Sequence, residues 1–379
     1  MIKPSLFTHV KKFEFSGTRK SGKIALPTLK AAKYGYSNAR VGAMKGLLLN
    51  KEFLIGLTHL GNVYSVIEML ERTYYKDNLV KFSIHYHGSD LVQIATSMHF
   101  AEIVNKLERI TPESDKEAFG VILMKWDLIN AKTILNAKRI GKKYEEIAPH
   151  IIPIGSFTEA EIKGLLSEEG EFFSKFAKTN LGRKFVSNTA IFGAELEKLF
   201  RYMGTTEVMK LEALLDMFYY SLYSSIGKFS AKEFETIAKL FRREIDFKNA
   251  LIIVRLKQHG INNPNEIAKY FIKGGLKQFG SFAELIDAKD MRDGLMHVGK
   301  KFGFENAPAN VVELEMMLNR KFASAKLAVF YRSILSIGAI FSFLFIKEEE
   351  INNLRKIAIG KEFGMPDEKI SEMLIFPNS

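Results

Sequence analysis

The first residues that could do chemistry are Gly17-Thr18-Arg19-Lys20-Ser21-Gly22-Lys23, which fit the phosphate-loop pattern G-x-x-x-x-G-K. Such a loop cradles phosphates with its backbone amides, and a Ser or Thr after the Lys holds magnesium. Here Ile24 stands at that position and Ala25-Leu26-Pro27 follow, so a basic loop is the better reading. His85-Tyr86-His87 offers two imidazoles that share a face only on a strand. A zinc centre needs three or four ligands, and no third stands nearby. The carboxylate runs Glu168-Glu169 and Glu348-Glu349-Glu350 read as solvated faces or helix starts. Cys is absent, which removes disulfides and thiolate chemistry and suits a reducing cytoplasm. No G-x-S-x-G or H-E-x-x-H signature is present. The expectation is a protein that is not an enzyme, with no catalytic residue, metal, cofactor or small-molecule substrate.

Charge is concentrated at one end. Of the net +12 over 379 residues, the first 50 hold ten basic side chains against Glu14 alone, a local balance of +9. An acidic partner surface is implied: protein, nucleic acid or anionic lipid. Lys11, Lys12, Arg19, Lys20 and Lys23, with Lys3, Lys30 and Lys33, are candidates for docking on a membrane side or a partner. A scaffold that binds nucleic acid through this segment is the alternative function, and a nucleotide enzyme built on Gly17–Lys23 a third.

The elements that must position these residues are helical. Leu211, Leu214, Leu215, Phe218, Tyr219 and Leu222 fall on one helix face, as do Phe234, Ile237, Ala238 and Phe241. Strand-like runs at 81–87 and 12–15 are short and local, so an all-α fold is expected. The start lacks the apolar region of a signal peptide. The apolar run 333–346 is 14 residues long where a spanning helix needs about 20, so it reads as a buried core helix.

An internal repeat organises the chain. Segments 126–155, 245–274 and 349–378 each carry an acid, an Asn three residues on and a Lys eight after that. The triples are Asp127/Asn130/Lys138, Asp246/Asn249/Lys257 and Glu350/Asn353/Lys361. The acid reads as a first-turn residue complementing the helix dipole. The Asn reads as structural, facing inward onto hydrogen-bond partners. Gly141, Gly260 and Gly364 suit a helix C-terminus. A second landmark runs 70–74, 215–219 and 318–322, with a longer insert in the first copy. The boundaries are a basic segment 1–33 and helical repeat domains 34–155, 156–275 and 276–379.

The stretch Tyr34–Lys45, with Tyr36-Ser37-Asn38-Ala39-Arg40 at its centre, resembles the opening helix signature of the C subunit of archaeal and bacterial V/A-type ATPases, akin to the d subunit of the eukaryotic V-ATPase. The ordered set continues with Leu70–Tyr75, Asp127–Lys132, Asp216–Tyr220, Asn249 and 350–361. The first 33 residues are longer and more basic than that family leads one to expect, Gly42 stands where Arg is common, and Leu251 replaces the basic Lys132 and Arg355 of the other copies. The resemblance implies three similar helical domains in a pseudo-three-fold funnel without an active site. It implies a peripheral place on the cytoplasmic face of the membrane. The funnel would sit on the rotor proteolipid ring and receive the D and F subunits of the central stalk, coupling ATP chemistry to proton or sodium transport. It also implies that Asn38 and Arg40 belong to the structural motif.

Overall fold

The computed structural model describes residues 26–168, 170–189, 193–226, 235–332 and 336–376. These residues contain helices and no strand. The first group is α1 (Leu26–Lys45), α2 (Lys51–Thr58), α3 (Val63–Leu70), α4 (Lys76–Phe82), α5 (Gly88–Ile110), α6 (Lys116–Arg139) and α7 (Tyr144–Ile147). The middle group is α8 (Glu159–Leu166), α9 (Phe172–Phe176), α10 (Asn180–Asn188), α11 (Gly193–Tyr202), α12 (Thr205–Ile226), α13 (Glu235–Gln258) and α14 (Pro264–Ala268). The last is α15 (Ala283–Ile286), α16 (Met291–Phe302), α17 (Val311–Arg332), α18 (Ile337–Glu362) and α19 (Asp367–Met373).

The strand-like run at 81–87 forms no strand. Phe82 ends α4 and is buried while Ile84 is 77% exposed, so the alternation has no inner face. The amides of His85 and Tyr86 both return to the Phe82 carbonyl, leaving no ladder to join. The run 12–15 lies outside the described residues.

The apolar part of α18 is core. Ile337 to Phe345 are all buried, Phe341 stacks on Phe119 at 5.9 Å between centroids, and Ser336 caps the helix start. Among the described residues no helix is long and apolar enough to cross a membrane.

Long helices pack in cyclic succession: α6 on α12, α13 on α17, and α18 on α5. The place held by α12 and α17 therefore belongs to α5, not to 70–74. Ser97 and Asp216 each stand 33 residues ahead of Asn130 and Asn249. The run 70–74 ends α3 and turns into α4, and its aromatic character serves a different contact, described below. The two ends of the chain share a second core. Leu54, Val66, Leu79 and Leu91 pack with Leu354, Ile357, Ile370 and Leu374.

Candidate functional site

Asn is a poor residue for a helix interior because its amide competes with the backbone. Asn130, Asn249 and Asn353 are buried inside α6, α13 and α18, so both ends of each amide must be satisfied. All three do it alike. Asn130 Nδ2 donates to the Ile152 carbonyl at 2.7 Å and its Oδ1 accepts from the Ile152 amide at 2.9 Å. Asn249 does the same to Ile272 at 2.9 and 2.8 Å. Asn353 does the same to Ile375 at 2.7 and 2.9 Å. Each amide thus bonds both backbone groups of one residue 22 or 23 positions downstream.

The acids do not sit in first turns. Asp127, Asp246 and Glu350 lie mid-helix, because α6, α13 and α18 begin at Lys116, Glu235 and Ile337, well upstream of the repeat. Each accepts a backbone amide from a loop segment outside its own helix. Asp127 accepts from the Ser156 amide at 2.6 Å and Asp246 from the Lys277 amide at 3.0 Å. Glu350 accepts from the Leu49 amide at 2.7 Å, just ahead of the cap of α2, so the third acid reaches back to the segment between α1 and α2. Burial raises the Asp127 carboxyl to about 6, against the hydrogen bonds from Ser156 that favour its charge. Glu350 is buried with Lys347 at 2.7 Å and the hydroxyls of Tyr74 and Tyr75 at 2.6 and 2.7 Å. His99 packs against both rings, and burial beside Lys347 lowers it to about 3.

The helix ends also match. Gly141, Gly260 and Gly364 all have φ between 65° and 78°. The next amide in each case bonds five residues back, Lys142 to Ala137, Ile261 to Leu256 and Met365 to Gly360, the Schellman closure. Lys138 donates to the Ser167 carbonyl at 2.7 Å and Lys257 to the Ile286 carbonyl at 2.6 Å, at the C-terminal ends of α8 and α15. Cations are favoured there by the helix dipole. Lys361 departs, pairing with Asp367 at 2.5 Å.

Residues of α6, α13, α17 and α18 line an open cavity of about 450 Å³. Its lining is charged: Lys125, Lys248, Lys326, Arg355 and Lys356 against Glu244, Glu315, Glu348 and Glu349. Glu348 meets Lys125 at 2.8 Å and Lys326 at 3.8 Å, and Lys326 meets Glu349 at 3.0 Å. Burial disfavours the Lys326 charge, but Glu349 and Glu348 outweigh it and its pKa is raised. The run Glu348-Glu349-Glu350 is therefore no solvated face: Glu348 and Glu350 are buried and paired. Five residues ahead of the three asparagines stand Lys125, Glu244 and Glu348, so one register supplies all three units' contributions. That register is the sequence signal that marks the cavity, and the acid–Asn–Lys triples alone do not include it.

Asn38 donates only to Tyr34 of its own helix and Arg40 is exposed, so neither shares the bonds of the triples. Lys11, Lys12, Arg19, Lys20, Lys23 and the glycine-rich run lie outside the described residues. Lys33 is taken up by Asp115 at 2.9 Å rather than held out for a partner. His85 and His87 are exposed, and no cluster of three or more potential metal ligands occurs among the described residues.

Among the described residues the class is all-α: three long helices carry the same Asn bonds and, with α17, line a charged cavity. The model of the ATP synthase (C/AC39) subunit family matches residues 37–373, and the chain belongs to that family. It is 27% identical over 354 residues to the A-type ATP synthase C subunit of Methanosarcina acetivorans, covering 91% of this chain and 93% of that one. The same protein of Methanosarcina mazei is 28% identical with the same coverage, and that of Methanocaldococcus jannaschii 23% identical over 91% of this chain and 86% of its own length.

Proposed function

We propose that this chain is a non-catalytic central-rotor component of an A/V-type ATP synthase. It stands between the central stalk, with its D and F subunits, and the membrane proteolipid ring, on the cytoplasmic face. Three similar helical domains, at 34–155, 156–275 and 276–379, form a pseudo-three-fold funnel whose cavity receives the stalk. The observation that carries this reading is the cyclic bonding of the acids. Asp127 and Asp246 each hold the start of the following domain, and Glu350 holds the first domain at the segment ahead of α2. A closed ring of helices bonded in this way can carry torque without opening, since load at one seam passes to the other two. The family match supports the assembly, and the charged lining supports a polypeptide occupant over an apolar ligand.

Co-purification tests it. The full chain should be recovered with stalk and ring proteins from its own host. A chain that purifies alone from a membrane fraction rich in the rotor would overturn the reading.

A further inference from the structure

We propose that Arg355 is the cavity's receptor for a carboxylate, an Asp or Glu side chain at the tip of the polypeptide seated there; this rests on the stalk-socket reading above. One register of the repeat is filled three ways. Two residues after its Asn, α6 carries Lys132, α13 carries Leu251 and α18 carries Arg355. Lys132 meets Asp216 of α12 at 2.6 Å. Leu251 is apolar and needs no counterion. Arg355 meets only the Ser97 hydroxyl of α5 at 2.6 Å, where the corresponding helix supplies Asp216. Its Nε is buried without a hydrogen-bond partner. The carboxylate whose field reaches it, Glu348, is already bound by Lys125 and Lys326.

Arg355 is thus a guanidinium in the cavity wall whose structural counterpart has an acid and which has none. A buried charge without a partner is strongly unfavourable, and the cavity lining carries five basic groups against four acidic ones. The guanidinium fork binds a carboxylate through two parallel bonds. A helix tip bearing an acid fills a cavity of about 450 Å³ and neutralises Arg355 together, whereas a small anion leaves most of that space to water.

The chain has no Cys, so Asn352→Cys places a unique thiol in the lining. Purified stalk proteins are titrated onto the full chain as wild type, Arg355→Gln and Arg355→Lys, at low and high salt, with cross-linking through position 352. Arg355→Gln should weaken binding about 30-fold or more, the loss expected when one partner of a buried charge pair is removed. It should also flatten the salt dependence. Arg355→Lys, which keeps the charge and loses the fork, should fall between. Arg355→Glu should be restored by an Asp or Glu→Arg change at the stalk tip. Wild-type affinity and salt response in Arg355→Gln and Arg355→Lys, with cross-linking intact, would overturn the proposal and spare the socket. Failure of the wild type to bind or cross-link would overturn the socket reading and the proposal with it. Competition by inorganic phosphate at Arg355 with stalk binding unchanged would assign a small-anion site and also overturn it.

Discussion

The Glu350 carboxylate accepts the Leu49 amide at 2.7 Å across 301 residues of chain, and Lys347, Tyr74 and Tyr75 converge on the same group. This cluster ties α18 to the segment that joins α1 to α2. Lys347 is 2% exposed, so its charge depends on Glu350.

Glu350→Gln should therefore destabilise the protein by about 3–5 kcal/mol, because it leaves an ammonium buried without a counterion. Lys347→Met with Glu350→Gln should recover part of that loss. Urea unfolding of the wild type and the two variants reads both numbers. A single variant within about 1 kcal/mol of wild type would show that the seam carries little of the stability.

Replacing Asn249 by Leu removes both bonds to Ile272 and leaves that residue's amide and carbonyl unpaired in the interior. A loss of about 1–3 kcal/mol is expected from the stranded groups. Leu at Asn130 or Asn353 should cost a similar amount, since those bonds have the same form. Losses that differ widely among the three sites would argue against equivalent surroundings.

Two buried groups push the pH dependence in opposite directions. The folded carboxyl of Asp127 is raised to about 6 from 3.8. Its stabilising contribution is complete below 3.8 and is lost as pH rises through 6. At about 1.4 kcal/mol per unit that amounts to about 3 kcal/mol. Asp127→Asn should remove this term, so the difference in unfolding free energy between variant and wild type should change by that amount across the same pH window. An unchanged difference would refute the raised value.

His99 runs the other way. Its folded value of about 3 lies below the ordinary 6.5, so its contribution is present above 6.5 and is lost as pH falls toward 3. Replacing it with Gln should make the protein less sensitive to acid in that window. Calorimetric melting temperatures at the two ends of the window measure it, and a variant with wild-type acid sensitivity would count against the buried neutral imidazole.

The helical class is legible in the 3.6-residue spacing of Leu211 through Leu222. The Asn–Lys interval is legible too, because the Asn bonds and the lysine contacts depend on one side chain at a fixed register. Other features are hidden for physical reasons. Glu350 and Leu49 are joined only in space, and no local pattern marks a partner 301 residues away. The role of α5 is concealed because Ser97 replaces the acid that Asp216 provides, so the chemistry of the landmark changes while its position holds. The acids read as first-turn residues because the repeat becomes recognisable only from Trp126, inside α6, while the helix begins at Lys116 behind Asp115.

Two glycines separate backbone strain from steric exclusion. Gly141 has φ 71° with open space where a Cβ would go. Gly155 has φ 106°, and a Cβ there would stand 2.2 Å from the Asp127 Oδ1 that holds the Ser156 amide. Gly141→Ala should cost about 1–2 kcal/mol, the strain of a left-handed residue with a side chain. Gly155→Ala should cost more, because the carboxylate must also move and surrender its bond. Asp127→Ala clears the space, so the double variant should be less destabilised than the two single losses added together, by about 0.5–3 kcal/mol for residues in contact. Denaturant unfolding of the four proteins closes the cycle. Strict additivity would mean that Gly155 is required by its backbone angle alone and that Asp127 does not shape the connection between α7 and α8.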